Sequence, residues 1–141
     1  MYKKILVALE NTRADETVVP HIVELAQQLG SELLLLHVAD GFAARNFAQL
    51  KLAESEEMKA DRAYLDRIAE GLRAQGLQVG TELALGDPPK EILRVAVERG
   101  CALIAMTSHG HKFVADLVLG STIDKVRHNT TIPILVVRAG T

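Results

Sequence analysis

The chain has 141 residues, 48% of them hydrophobic, enough for one domain with a buried core and too apolar for global disorder. Its formal net charge of -2, from 16 basic and 18 acidic residues, and its 4% aromatics exclude an electrostatic or base-stacking case for nucleic acid and for an anionic membrane. The single cysteine, Cys101, excludes a disulfide framework and suits a reducing compartment.

In chain order, "KKILVAL" is a short continuous apolar run, as in a strand buried on both faces. The run Ile5–Leu9 is too short for a signal-peptide core, and no stretch reaches membrane-span length. A soluble cytoplasmic protein is expected. Thr12 and Asp15 resemble a capping box. Val18, Ile22, Leu25, Ala26 and Leu29 then follow at helical spacing, closed by Gly30, as a C-terminal glycine would close them. "ELLLLHV" is a second buried strand. Residues 39–55 show no clear period. Met58, Leu65, Ile68, Ala69 and Leu72 mark a second helix, stopped by Gly76. "LQVGTELAL" reads as a third strand. "GDPPKEILRVAVERG" is a turn and a helix with prolines in its first turn. "CALIAM" is a fourth strand, "STIDKVRHN" a last short helix and "IPILVVR" a fifth strand. Alternation of strands and helices predicts one α/β domain over 1–141: an open parallel sheet with helices on both faces.

Ligands of such sheets sit beyond the C-terminal strand ends, where strand order reverses. The candidate loops are Glu10–Thr12, Ala39–Gly41 and Thr107–Gly110. No phosphate-binding P-loop, dinucleotide glycine fingerprint or G-x-S-x-G elbow is present. In "TSHGHKFVADLVLGST", Gly110 closes the turn after strand four, and Gly120, Ser121 and Thr122 are expected to open the last helix. Their backbone N–H groups and hydroxyls could converge on a phosphate. A turn glycine followed by an ordinary serine helix cap explains the same spacing.

Taken together, "KKILVALENT", "LLLLHV", "GDPPKEIL", "LIAMTSHG" and "LVLGSTIDKVRHNTTIPILVV" resemble the universal stress protein family over essentially the whole chain. ATP-binding members carry G-x-x-G-x(9)-G-[ST], which stands here as Thr107-x-x-Gly110-x(9)-Gly120-Ser121. The resemblance implies a Rossmann-like sheet of the adenine nucleotide alpha hydrolase type, in strand order 3-2-1-4-5. It implies that Ala8, Leu9 and Glu10 border the adenosine and that Val38 pairs the adenine through its backbone. Met106 and Thr107 would flank base and ribose. Gly110, Gly120, Ser121 and Thr122 would hold the phosphates of ATP, accompanied by Mg2+. Three positions depart from the family pattern: Thr107 replaces a glycine, Glu10 an aspartate, and Ala102 a frequent aspartate.

Of the other residues, His109 and His111 form H-x-H, but no third metal ligand is evident nearby. A loop histidine beside the phosphates is the expectation for His109. His37 reads as a satisfied core histidine or pocket wall, and His128 as a solvated or C-terminal helix charge. Cys101 reads as a small buried hydrophobe. Phe42 and Phe47 would anchor a loop or cover the pocket. In the family order "IPILVVR" is an edge strand, and the resemblance implies a homodimer paired through strand 132–138. The expected function is a nucleotide-binding regulator of the stress response, acting with an unnamed protein partner. Dedicated catalysis is not expected, since no general base is evident; slow ATP hydrolysis is compatible with a water oriented at Glu10, the one acid in the proposed pocket. The alternatives are an interaction module that binds no nucleotide and, ranked lower, an adenylating enzyme.

Overall fold

The computed structural model describes residues 1–40, 51–109 and 114–139. Its elements are β1 (Lys4–Leu9), α1 (Asp15–Leu29), β2 (Glu32–Asp40), α2 (Lys51–Arg73), β3 (Val79–Gly86), α3 (Pro88–Glu98), β4 (Leu103–Ser108), α4 (Val114–His128) and β5 (Ile134–Arg138). All four strand pairings are parallel, and the order is β3-β2-β1-β4-β5. The chain winds outward from β1 to β3, then crosses back to place β4 on the other side of β1. The reversal between β1 and β4 leaves a crevice at the C-terminal strand ends.

Two apolar clusters sandwich the sheet. On one face, Ile5, Val7 and Leu9 pack with Val18 and Ile22 of α1 and Leu65 and Ala69 of α2. On the other, Leu6, Leu34 and Leu36 pack with Ile92 and Val95 of α3 and Val126 of α4. Strand side chains alternate between faces, so the runs "ILVAL" and "LLLL" fill both clusters at once. That double burial is why they are continuously apolar. Cys101 is buried in the second cluster, as a small hydrophobe.

Helix ends follow local chemistry in most places. Gly30 takes a left-handed conformation at φ 69° and sends its N–H to the Ala26 carbonyl, which a residue with a Cβ does only under strain. Pro88 opens α3 directly after Asp87, where its missing N–H costs nothing. In α4, His128 Nδ1–H donates to the Asp124 carbonyl at 2.7 Å, completing a basic last turn with Lys125 and Arg127.

Two expected helix starts are corrected. Thr12 is not the cap of α1: Ala14 occupies that position and makes no side-chain cap hydrogen bond. Instead Thr12 Oγ1 accepts the Ala14 N–H within the preceding turn. Asn11, at φ 59°, bends the chain there, so the helix begins three residues later than Thr12. The second correction concerns Gly120, Ser121 and Thr122. They do not open α4 but lie within it, because the helix already begins at Val114. "VADLVL" contains no breaker, and one internal glycine costs a helix only about 1 kcal/mol. Phe42, Phe47, Gly110 and His111 lie outside the described residues.

Candidate functional site

A cavity of about 490 Å³ opens over the C-terminal ends of β1, β2 and β4, at the topological reversal. Ala8, Leu36, Val38 and Met106 line it from the sheet, and Pro88 and Ile92 from α3. Thr122 and Ile123 of α4 and Thr12 of the loop after β1 complete the wall. The void follows from side-chain size. Leu6, one pleat before Ala8, is fully buried, whereas the alanine leaves the same face unfilled.

One corner is polar. Glu10 and His37 line the cavity. His109 Nε2–H donates to Glu10 Oε1 at 2.8 Å and lies 3.1 Å from Oε2. This pair bridges the loops after β1 and β4, 99 residues apart. Burial raises the Glu10 carboxyl above its ordinary value, and the His109 hydrogen bond opposes that rise. A carboxylate held there accepts hydrogen bonds and cannot donate them. His37 Nδ1–H donates to the Leu9 carbonyl at 3.0 Å, so it is both pocket wall and satisfied histidine.

The residues singled out by sequence therefore divide. Ala8, Leu9, Glu10, Val38, Met106, Thr107 and Thr122 share the cavity, and His109 reaches it through Glu10. Ser121 is exposed, and the backbone of Gly120 is helical. Gly110 is outside the described residues. Thr107 is 3% exposed, and its Oγ1 is buried without a hydrogen-bond partner among the described residues. Alternation along β4 puts its Cβ on the side of Leu103 and Ala105, opposite Met106. A threonine replaces the family's glycine there without its side chain displacing the apolar wall of the cavity. Among the described residues no three His, Cys, Asp or Glu side chains converge as a metal site.

Asp15, expected only as the capping-box partner of Thr12, has a different role. It is 2% exposed, and its carboxylate accepts the Glu10 and Asn11 N–H groups, each at 2.9 Å. The Tyr64 hydroxyl of α2 donates to it as well, at 2.6 Å. Burial and then this carboxylate raise the Tyr64 phenol above its ordinary range. The local signal was an acid at a helix start beside an Asn-Thr turn. Its partner Tyr64, 49 residues away, had no sequence signal.

The chain is thus an open parallel α/β sheet with a largely apolar cavity and one acidic corner at its switch point, the place where ligands of such sheets sit. Residues 1–138 match the model of the universal stress protein family, and the chain belongs to that family. It is 29% identical to universal stress protein YxiE of Bacillus subtilis, over 98% of this chain and 100% of that one. It is 28% identical to universal stress protein MJ0577 of Methanocaldococcus jannaschii, over 98% of this chain and 96% of the other. The solved structure of MJ0577 superposes with a TM-score of 0.83, at 26% identity, covering 100% of this chain and 99% of that chain. The same fold recurs in a universal stress protein of Archaeoglobus fulgidus in complex with dAMP, with a TM-score of 0.71 at 20% identity, over 96% and 97% of the two chains.

Proposed function

We propose that the cavity binds an adenine nucleotide, with ATP as the leading candidate, and that the protein acts through it as a cytoplasmic regulator of the stress response. The observation that carries this reading is the pairing of an apolar slot with one carboxylate. Ala8, Val38, Met106 and Ile92 offer surfaces suited to a planar base. Glu10 offers acceptors for ribose hydroxyls, which are donors. The volume is of the size that small-molecule sites use. The family relationship and the dAMP bound to the Archaeoglobus relative point the same way. Thr12 and Thr122 in the lining, and His109 beside Glu10, are polar side chains for the phosphates to meet. Mg2+ would be held by phosphate oxygens and water, as is usual for this ion.

The experiment is extraction of any co-purified nucleotide, followed by calorimetric titration of ATP and ADP with Mg2+. Saturable binding is expected. No binding at about 1 mM ATP would remove this reading. A second reading is an interaction module without nucleotide. It draws on Gly120 and Ser121 lying inside α4 rather than at its start, where they offer no helix N-terminus to a phosphate. The same titration separates the two.

The dimer through residues 132–138 is part of the proposal. β5 ends the sheet, and Val136 is 44% exposed, an edge that a second copy would cover. Light scattering should give a dimer mass, and Val136→Lys a monomer. A monomeric wild type would discard the interface.

A further inference from the structure

Three cavity residues are tied to a helix that does not line the cavity. Asp15 of α1 receives the backbone N–H of Glu10 and of Asn11 on one side and the Tyr64 hydroxyl of α2 on the other. Asn11 Nδ2–H donates to Asp61 Oδ1 of α2 at 2.9 Å. The other oxygen of Asp61 lies 3.7 Å from His37 Nε2, and His37 holds the Leu9 carbonyl through Nδ1. Leu9, Glu10 and His37 line the cavity; Asn11, Asp15, Asp61 and Tyr64 do not.

The chemistry of this chain is directional. A buried carboxylate that loses its donors is costly, and so are donors that lose it. Asp15 therefore holds the two peptides on either side of Glu10 in one orientation for as long as Tyr64 completes its shell. Asn11 sits in the left-handed region, a conformation that surrounding contacts must maintain. Those contacts are Asp15 at its backbone and Asp61 at its side chain. Moving α2 withdraws both Tyr64 and Asp61, and the loop that aims Glu10 at His109 is released.

We propose that Asp15 is a positioning residue for the acidic corner of the cavity, and that Asp61 and Tyr64 link the seating of α2 to ligand occupancy. The inference rests on the nucleotide reading and assigns it a route to the rest of the molecule. Linkage is reciprocal: if seating α2 tightens binding, ligand tightens the seat by the same factor.

Calorimetry with ATP and Mg2+ on the full chain tests this. Tyr64→Phe keeps the ring and removes one hydroxyl; ATP binding should weaken about fivefold, and with Asp15→Asn about thirtyfold, within the usual range of such couplings. Because both act through Glu10, adding Tyr64→Phe to Glu10→Gln should weaken binding little further. A merely structural role would give additive losses. In hydrogen exchange, ATP should slow the amides around residues 61–64 in the wild type and not in Glu10→Gln. Wild-type affinity in Tyr64→Phe, or additive losses, overturns the inference and leaves the nucleotide reading standing. Failure of the wild type to bind ATP removes both. Should Asp15→Asn fail to fold, Tyr64→Phe and the exchange measurement decide.

Discussion

On the α1 and α2 side of the sheet, Ile5, Val7 and Leu9 are buried to the end of β1, and the space above them holds the Asp15, Asp61 and Tyr64 network. On the α3 and α4 side, Leu6 is buried but Ala8 opens on the cavity. The same strand, at the same depth, thus ends in a closed polar lock on one face and in a void on the other. The difference shows how a site forms without loosening the fold. Small residues leave room on one face, while hydrogen-bonded groups on the opposite face hold the loop that borders it.

The contrast can be broken most forcefully at matched isoleucines. Ile22→Ala, in the filled face, should cost about 4 kcal/mol, whereas Ile92→Ala, beside the cavity, should cost about 2 kcal/mol, since its side chain has fewer neighbours to lose. Urea unfolding measures both, and equal losses would mean the cavity is closed in solution. Asp15→Ala should cost about 3 kcal/mol by leaving two amides and the Tyr64 hydroxyl unpaired in the interior. A change below 0.5 kcal/mol, on the order of an ordinary surface substitution, would show that water replaces the carboxylate freely. Ala8→Leu should fill the slot, weakening ATP binding about 100-fold, or about 2.7 kcal/mol, with an unchanged melting temperature. Retained affinity would put the ligand elsewhere.

The smallest effect is the pH dependence at Glu10. Burial raises its folded-state value above the ordinary 4.5. The stabilisation this carries is present below the unfolded value and is lost as pH rises through the folded one. Wild type should therefore lose stability relative to Glu10→Gln as pH climbs from about 4 toward neutrality. Urea midpoints of the two proteins across that range give the sign, and a relative gain would reverse the assignment of burial as the dominant influence.

Much of this architecture is legible without coordinates. Continuous apolar runs such as "LLLL" specify strands buried on both faces, and glycines at 30, 76 and 100 mark turns that the structure places at positive φ. The cavity was half legible. Ala8, Glu10 and Val38 follow from strand ends and family pattern, and Ile92 lay within the quoted stretch "GDPPKEIL" without being singled out. The start of α4 was misplaced because Gly-Ser-Thr is a strong local helix-start signal, yet the preceding "VADLVL" propagates a helix through it. The Glu10–His109 pair and the Asp15–Tyr64 contact were not legible, because their partners are separated by 99 and 49 residues.

By itself the sequence determined the order and type of the elements, the double burial of the central strands and family membership. These depend on periodicity, local chain stereochemistry and motif spacing, which are properties of neighbours along the chain. Only the tertiary structure decided which polar groups meet: Glu10 with His109, and Asp15 with Tyr64. It also decided that Thr107 turns to the face opposite Met106, and that Gly120 and Ser121 lie inside a helix rather than at its mouth. Those outcomes follow from side-chain volume and hydrogen-bond completion in three dimensions, which no stretch of the chain encodes alone.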